Sequence, residues 1–145
     1  MRIAIGADHG GLELKALLVE HLTAAGHQVT DLGTHTRDSV DYPDLAVAVT
    51  TALREGQAER GVLVCGTGQG MAISANKVPG IRAGVVSDVF SARMIRAHND
   101  ASVICLGARV IGPSLALECV DAFLATEFEG GSHGRRVGKI TALEG

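Results

Sequence analysis

The chain has no tryptophan, one tyrosine and three phenylalanines among its 145 residues. That leaves little on which to stack nucleobases or a flavin ring. Cysteine is nearly as scarce: Cys65, Cys105 and Cys119 are odd in number, far apart and set in apolar segments. Such thiols suit a reduced state better than a disulfide scaffold or a zinc site. Positive charge is not in excess, and a net charge of -3 excludes a broadly basic nucleic-acid surface while leaving room for a local anion site. No apolar run approaches the length that spans a bilayer. The opening "MRIAIGADHG" lacks a signal-peptide pattern, so a cytoplasmic location is expected, with no membrane and no nucleic-acid partner. Repeats, low-complexity tracts and linkers are missing, and no His/Asp/Glu spacing suggests a metal site.

Apolar residues, by contrast, make up 46% of the chain, enough to build a real core in one domain covering residues 1–145. Their period switches repeatedly. Strands are expected at "RIAIG" (2–6), "QVTDLG" (28–33), "GVLVCG" (61–66), "AGVVS" (83–87) and "SVICLG" (102–107). Between them lie helical patterns. In the first, Leu14, Leu17, Leu18, Leu22 and Ala25 share a face that ends at Gly26. A second starts near Pro43 and buries Leu45, Val49, Ala52 and Leu53. A third, short one follows residue 70, a fourth covers roughly 89–98, and a fifth starts at Gly112-Pro113 with Ala116, Cys119, Val120, Phe123 and Leu124 facing inward. Apolar strands alternating with helices predict a three-layer α/β, Rossmann-like domain with a five-stranded parallel sheet covered on both faces. The common strand order is 2-1-3-4-5.

That order sets strands one and three side by side, where ligands of open parallel sheets bind beyond the strand ends. Two loops would meet there, "GADHGG" (6–11) and "CGTGQG" (65–70), bringing Asp8 and His9 beside Cys65. Glycines at 66, 68 and 70 allow a tight turn of exposed amides, and the helix behind adds positive potential. Such a nest favours an anion, or negative charge developing in a reaction, and favours thiolate over thiol in the neighbouring cysteine. The loop lacks the Walker spacing, because Lys77 comes too late. On spacing alone Cys65 reads equally as a reactive thiol or a core residue, whereas Cys105 and Cys119 read as core packing.

The segments "ADHGG", "DYPDLA", "CGTGQGMAISANKVPGIRA", "AHNDASVICLGARVIG" and "EGGSHGRRV" together resemble type B ribose-5-phosphate isomerase, grouped with the galactose-6-phosphate isomerase subunits. The resemblance runs from the first strand to about residue 140. It implies an enzyme of the pentose phosphate pathway that interconverts phosphorylated aldoses and ketoses without metal or organic cofactor. It assigns proton abstraction at C2 to Cys65; a carboxylate that serves part of the family is replaced here by Met71. It gives the amides of Gly66, Thr67, Gly68, Gln69 and Gly70 to the cis-enediolate, with Thr67 also on the reacting oxygens. His98 resembles the acid/base that opens the sugar ring, and Asn99 and Asp8 resemble binders of sugar hydroxyls. His9, Arg109 and Arg136 match phosphate-binding positions, and Tyr42 lines the pocket. One departure is Ser132, where the family often has a phosphate-binding arginine; the alternatives are that Arg135, near the same face if 132–136 is helical, substitutes for it, or that the sugar phosphate has a different shape. The tail, 130–145, is expected at the phosphate site or at a subunit contact.

Helix geometry adds a point about assembly. Ten residues at about 1.5 Å each carry His98 roughly 15 Å from the sheet edge that holds Cys65. A neighbouring subunit must then supply it, which predicts a homodimer or tetramer with shared sites, as the family shows. Taken alone, His98 would merely complement a helix dipole, Arg135, Arg136 and Lys139 would be a solvated face, and His21, His27 and His35 surface residues. Two functions follow: a cofactor-free isomerase acting on a five-carbon or six-carbon sugar phosphate, or a flavodoxin-like module that binds a phosphorylated ligand without reaction. A thiol hydrolase lacks an evident Cys–His pair within one subunit.

Overall fold

A computed structural model describes all residues, 1–145. Its strands are β1 (Arg2–Ala7), β2 (Gln28–Asp31), β3 (Arg60–Cys65), β4 (Ala83–Val85) and β5 (Val103–Gly107). Its helices are α1 (Leu12–Ala24), α2 (Tyr42–Arg54), α3 (Gln69–Asn76), α4 (Val89–Ala97), α5 (Pro113–Ala125) and α6 (Ser132–Ala142). All strand pairs are parallel, as a βα alternation requires when each connection is a helix crossing back over the sheet. One face of the sheet packs through Ile3, Ile5, Val62 and Ile104 on Leu18, Leu22, Ala92 and Phe123 of α1, α4 and α5. The opposite face packs through Ala4, Leu63, Val103 and Cys105 on Ala46, Val49, Met71 and Ala75 of α2 and α3.

The strand order is β2-β1-β3-β5-β4, not the expected 2-1-3-4-5. Strand length and burial account for the exchange. All five residues of β5 are buried, whereas β4 has three residues, each only partly buried. A short strand forgoes least by pairing on one side only, so β4 takes the edge and β5 the interior. The exchange sets the turn after β5, with Arg109, directly beside the turn after β3.

A second expectation fails on α1. Leu14, Leu18 and Leu22 are buried, but Leu17 is 43% exposed. The place expected for a leucine goes instead to Lys15, whose Nζ donates to both carboxylate oxygens of Asp31 at 2.6 and 2.7 Å. Its apolar stem lies under the helix while the charge is met on β2. On α5, Ala116, Cys119, Val120 and Phe123 are buried as expected, and Pro43 sits in the first turn of α2.

Candidate active site

β1 and β3 are neighbours, with Ala7 opposite Val64, so the loops that follow them do meet. The main chain ties them together: the Asp8 N–H donates to the Val64 carbonyl at 3.2 Å. Asp8 is 9% exposed and caps the short 3-10 turn His9–Gly11, its Oδ1 accepting from the Gly10 N–H at 2.9 Å. His9 is exposed, and its Nδ1 accepts from the Val40 N–H at 3.3 Å, which leaves Nε2 free to face a ligand. A cleft of about 600 Å³ opens here, lined by Asp8, His9, Val40 and Tyr42. The Tyr42 ring fills the space that a side chain at Gly70 would occupy, which places it against the glycine loop.

Cys65 ends β3, 5% exposed. Its Sγ accepts the backbone N–H of Gly68 at 3.1 Å. Gly68 is the N-cap of α3 at φ 81°, a left-handed conformation that only glycine adopts without strain, and this is what turns its amide back toward the sulfur. The sulfur thus sits at the positive end of a helix with an N–H donated to it, an environment that stabilises negative charge. Thr67 is exposed, and its Oγ1 accepts from the Gln69 N–H at 3.3 Å. Met71 is fully buried just below and offers no ionisable group. Cys105 lies on the next strand, level with Leu63 and buried on the same face. Burial pushes its thiol up, with the nearby Cys65 adding to the effect, so Cys105 stays protonated. Burial does the same to Cys119, helped by Asp88 and Glu118.

The β5 turn completes this edge. Ala108 and Arg109 donate their N–H groups to the carbonyls of Cys65 and Gly66 at 2.9 and 3.0 Å. Gly107 is needed because the Thr67 backbone passes over it; a Cβ there would lie 2.7 Å from the Thr67 carbonyl carbon. The result sets Asp8, His9, Tyr42, Cys65, Gly66–Gly70 and Arg109 at one sheet edge.

His98, Asn99 and Arg136 are not at that edge. The loop holding His98 and Asn99 leads into β5 where the Gly61 N–H donates to the Ser102 carbonyl, four residues before Cys65 and about 13 Å down the strand. Two guanidinium groups clamp it. Arg96, 3% exposed, donates to Asp100 Oδ1 at 2.9 Å and to the Ala101 carbonyl at 2.8 Å. Arg82 donates to the Asn99 and Asp100 carbonyls at 2.8 and 2.9 Å. Between them Asp100 is held at φ 48°, a left-handed conformation uncommon for residues with a side chain.

The fold adds two residues that the sequence reading passed over. His133 of α6 stacks on His98 with ring centroids 4.0 Å apart, and Glu129 Oε2 lies 3.6 and 3.7 Å from their Nε2 atoms. Glu129 and His133 are four apart in "EGGSH", a spacing that signals a shared face, but nothing in the sequence ties them to His98, 31 and 35 residues earlier. These three residues bring donor atoms within 4.8 Å of one another. The ring planes differ by only 6° at 4.0 Å, so the in-plane nitrogen lone pairs lie in parallel planes instead of meeting at one ion. Arg136 is exposed three residues beyond His133 on the same helix. Ser132 and Arg135 are also exposed, in its first turn.

Residues 3–140 match the family model described as Ribose/Galactose Isomerase. Ribose-5-phosphate isomerase B of Escherichia coli strain K12 is 47% identical over 143 residues, covering 99% of this chain and 96% of that one. The D-erythrulose-4-phosphate isomerase of Pectobacterium atrosepticum is 48% identical over 145 residues, covering 99% and 95%. Among solved structures, ribose-5-phosphate isomerase B of Clostridium thermocellum superposes with a TM-score of 0.98 at 51% identity, covering 99% of this chain and 97% of that one. With sheet, crevice loops and nearly the full length in agreement, the chain belongs to the ribose/galactose isomerase family and is a sugar-phosphate isomerase.

Proposed function

We propose that the chain interconverts ribose 5-phosphate and ribulose 5-phosphate through a cis-enediolate, with Cys65 as the base at C2. The observation that carries this reading is the Cys65 sulfur accepting the Gly68 N–H at the α3 terminus, where β1 and β3 diverge. Removal of a proton next to a carbonyl is cheap only when the oxyanion is met at the same moment, a role we give to the amides of the 66–70 loop, of which Gly68 and Gln69 also donate to the Cys65 sulfur and the Thr67 hydroxyl. Cys65 takes the C2 proton and returns it to C1, while the hydroxyl proton passes from O2 to O1 as the carbonyl moves from C1 to C2. Thr67 orients the reacting oxygens, and Asp8 and Asn99 hold sugar hydroxyls. His9, Arg109 and Arg136 hold the phosphate, arginine by its planar fork. The chemistry proposed needs no metal or organic cofactor.

The two halves of this machinery stand apart in one chain. A homodimer that sets His98, Asn99 and Arg136 of one subunit over Cys65 of the other reunites them. Val47 on α2, Ile73 on the adjoining α3 and Leu143 just after α6 are exposed apolar side chains available to a second copy. The module that binds without turnover has no use for a thiol held this way.

Mixing tests both points at once. Cys65→Ala and His98→Ala proteins, each inactive, are unfolded together and refolded. Random pairing makes half the dimers mixed, each with one intact site of two, so about a quarter of wild-type activity returns. No recovery would exclude shared sites. Assaying ribose 5-phosphate beside allose and galactose 6-phosphates and a four-carbon aldose phosphate fixes the sugar, since a relative is named for erythrulose 4-phosphate.

A further inference from the structure

Building on the isomerase reading, in which His98 handles the ring-opening proton, we propose that His133 and Glu129 are positioning residues that fix the His98 imidazole for that step. His98 ends α4 and its side chain is 39% exposed. A ring at such a place turns freely about two bonds unless something stops it. His133 sets its plane, parallel to within 6° at 4.0 Å. Glu129 Oε2 stands 3.6 Å from its Nε2 edge, close enough to draw a protonated ring toward it, and this carboxylate has no basic neighbour within 4 Å except the two imidazoles. Glu129 is anchored in turn, its N–H donating to the carbonyl of Ala97, the last residue of α4, at 3.0 Å. The main chain beside the ring is held by the Arg82–Asp100–Arg96 clamp. Plane, edge and backbone therefore each face a different neighbour: the His133 ring, the Glu129 carboxylate and the clamp.

The step needs that restraint. A cyclic aldopentose 5-phosphate opens when the O1 hydroxyl gives its proton to imidazole, the C1–O4 bond breaks as the C1 carbonyl forms, and O4 receives a proton. The imidazole ends as it began, but it must reach both oxygens within hydrogen-bond distance. An aldotetrose 4-phosphate carries its phosphate on the oxygen that would close the ring. It is already open and bypasses His98.

The test compares D-ribose 5-phosphate with D-erythrose 4-phosphate in His133→Ala, Glu129→Gln and His133→Phe proteins, with thermal melts to verify folding. In the first two, kcat on the pentose falls roughly ten- to a hundredfold, as misplacement of a catalytic group costs, while the tetrose rate stays within about twofold. His133→Phe keeps a flat face for His98 and recovers most of the pentose rate. Exchange of the C1 hydrogen of ribulose 5-phosphate, an open-chain ketose, gives the same comparison and also stays near wild type. Variants that keep the wild-type pentose-to-tetrose ratio, or that raise KM equally for both sugars, overturn the inference alone. A wild-type chain that converts no sugar phosphate overturns the isomerase reading itself, and this inference with it.

Discussion

Cys65 and Cys105 form a natural experiment, because they lie on adjacent strands and the same sheet face but differ in what surrounds the sulfur. The Cys65 sulfur accepts an N–H at 3.1 Å at the mouth of the crevice. The Cys105 sulfur is fully enclosed, its thiol pushed up by burial. Replacing either with alanine removes one buried heavy atom and leaves a small void, so each costs about 1–2 kcal/mol of stability. Their effects on rate should part company. A positioned general base contributes roughly 10²- to 10⁴-fold, or about 3–5 kcal/mol of barrier at 1.36 kcal/mol per decade. Cys65→Ala should lose that much of kcat, while Cys105→Ala stays within about threefold of wild type, since an inert thiol takes no part in the chemistry. The assay is the initial rate of ketose formation, paired with deuterium wash-in at C2 of ribose 5-phosphate in D2O, which reports proton abstraction directly. If Cys65→Ala washes in deuterium at the wild-type rate, the base lies elsewhere. If both alanine variants lose activity equally, the loss reflects packing and the distinction between the two sulfurs collapses.

Arg96→Met tests the clamp on the His98 loop: Asp100 keeps Arg82 and is 38% exposed, so the cost should be about 2–4 kcal/mol, read as a lowered melting temperature. Asp88 caps α4 through the Ser91 N–H and hydroxyl, which hold its carboxyl below the ordinary 3.8. A carboxyl depressed by folding stabilises above its unfolded value and loses that contribution as pH falls through the folded one. The melting temperature of Asp88→Ala should therefore lie below wild type at pH 7, with the gap closing as pH drops below 3.8; a gap that persists in acid rules out the ionised cap. Ile73→Asp places a charge on a 62% exposed apolar side chain of α3 and, if the chain forms the proposed homodimer through this face, should sediment as a monomer with parallel loss of activity, while a sedimentation coefficient equal to wild type would rule this face out of any interface.

What the sequence disclosed and what it withheld divide along physical lines. β1 and β3 are continuous apolar runs, and their adjacency follows from the rule that governs open parallel sheets, so the meeting of Asp8 with the Cys65 loop was legible. The order of the last two strands was not, because "AGVVS" and "SVICLG" look alike as patterns and differ only in how many residues end up enclosed. Leu17 looked like core because periodicity counts side-chain type and cannot see Asp31, across the chain, waiting for Lys15. Helix length alone separated His98 from Cys65, since rise per residue is fixed. The stacking of His133 on His98 depends on where α6 docks, and that is set by contacts between distant segments that leave no local trace.

The loops around Cys65 are stitched to one another through peptide groups: Val64 to Asp8, Cys65 to Ala108, Gly66 to Arg109, and Ala7 to Gly33 across the next strand. None of these stitches depends on which side chain is present, except where glycine is required. A lineage can therefore exchange the residues that project from this floor, and with them the sugar it prefers, without reshaping the floor itself. Relatives about equally distant from this chain yet named for a pentose and a tetrose phosphate are the variety such a frame permits.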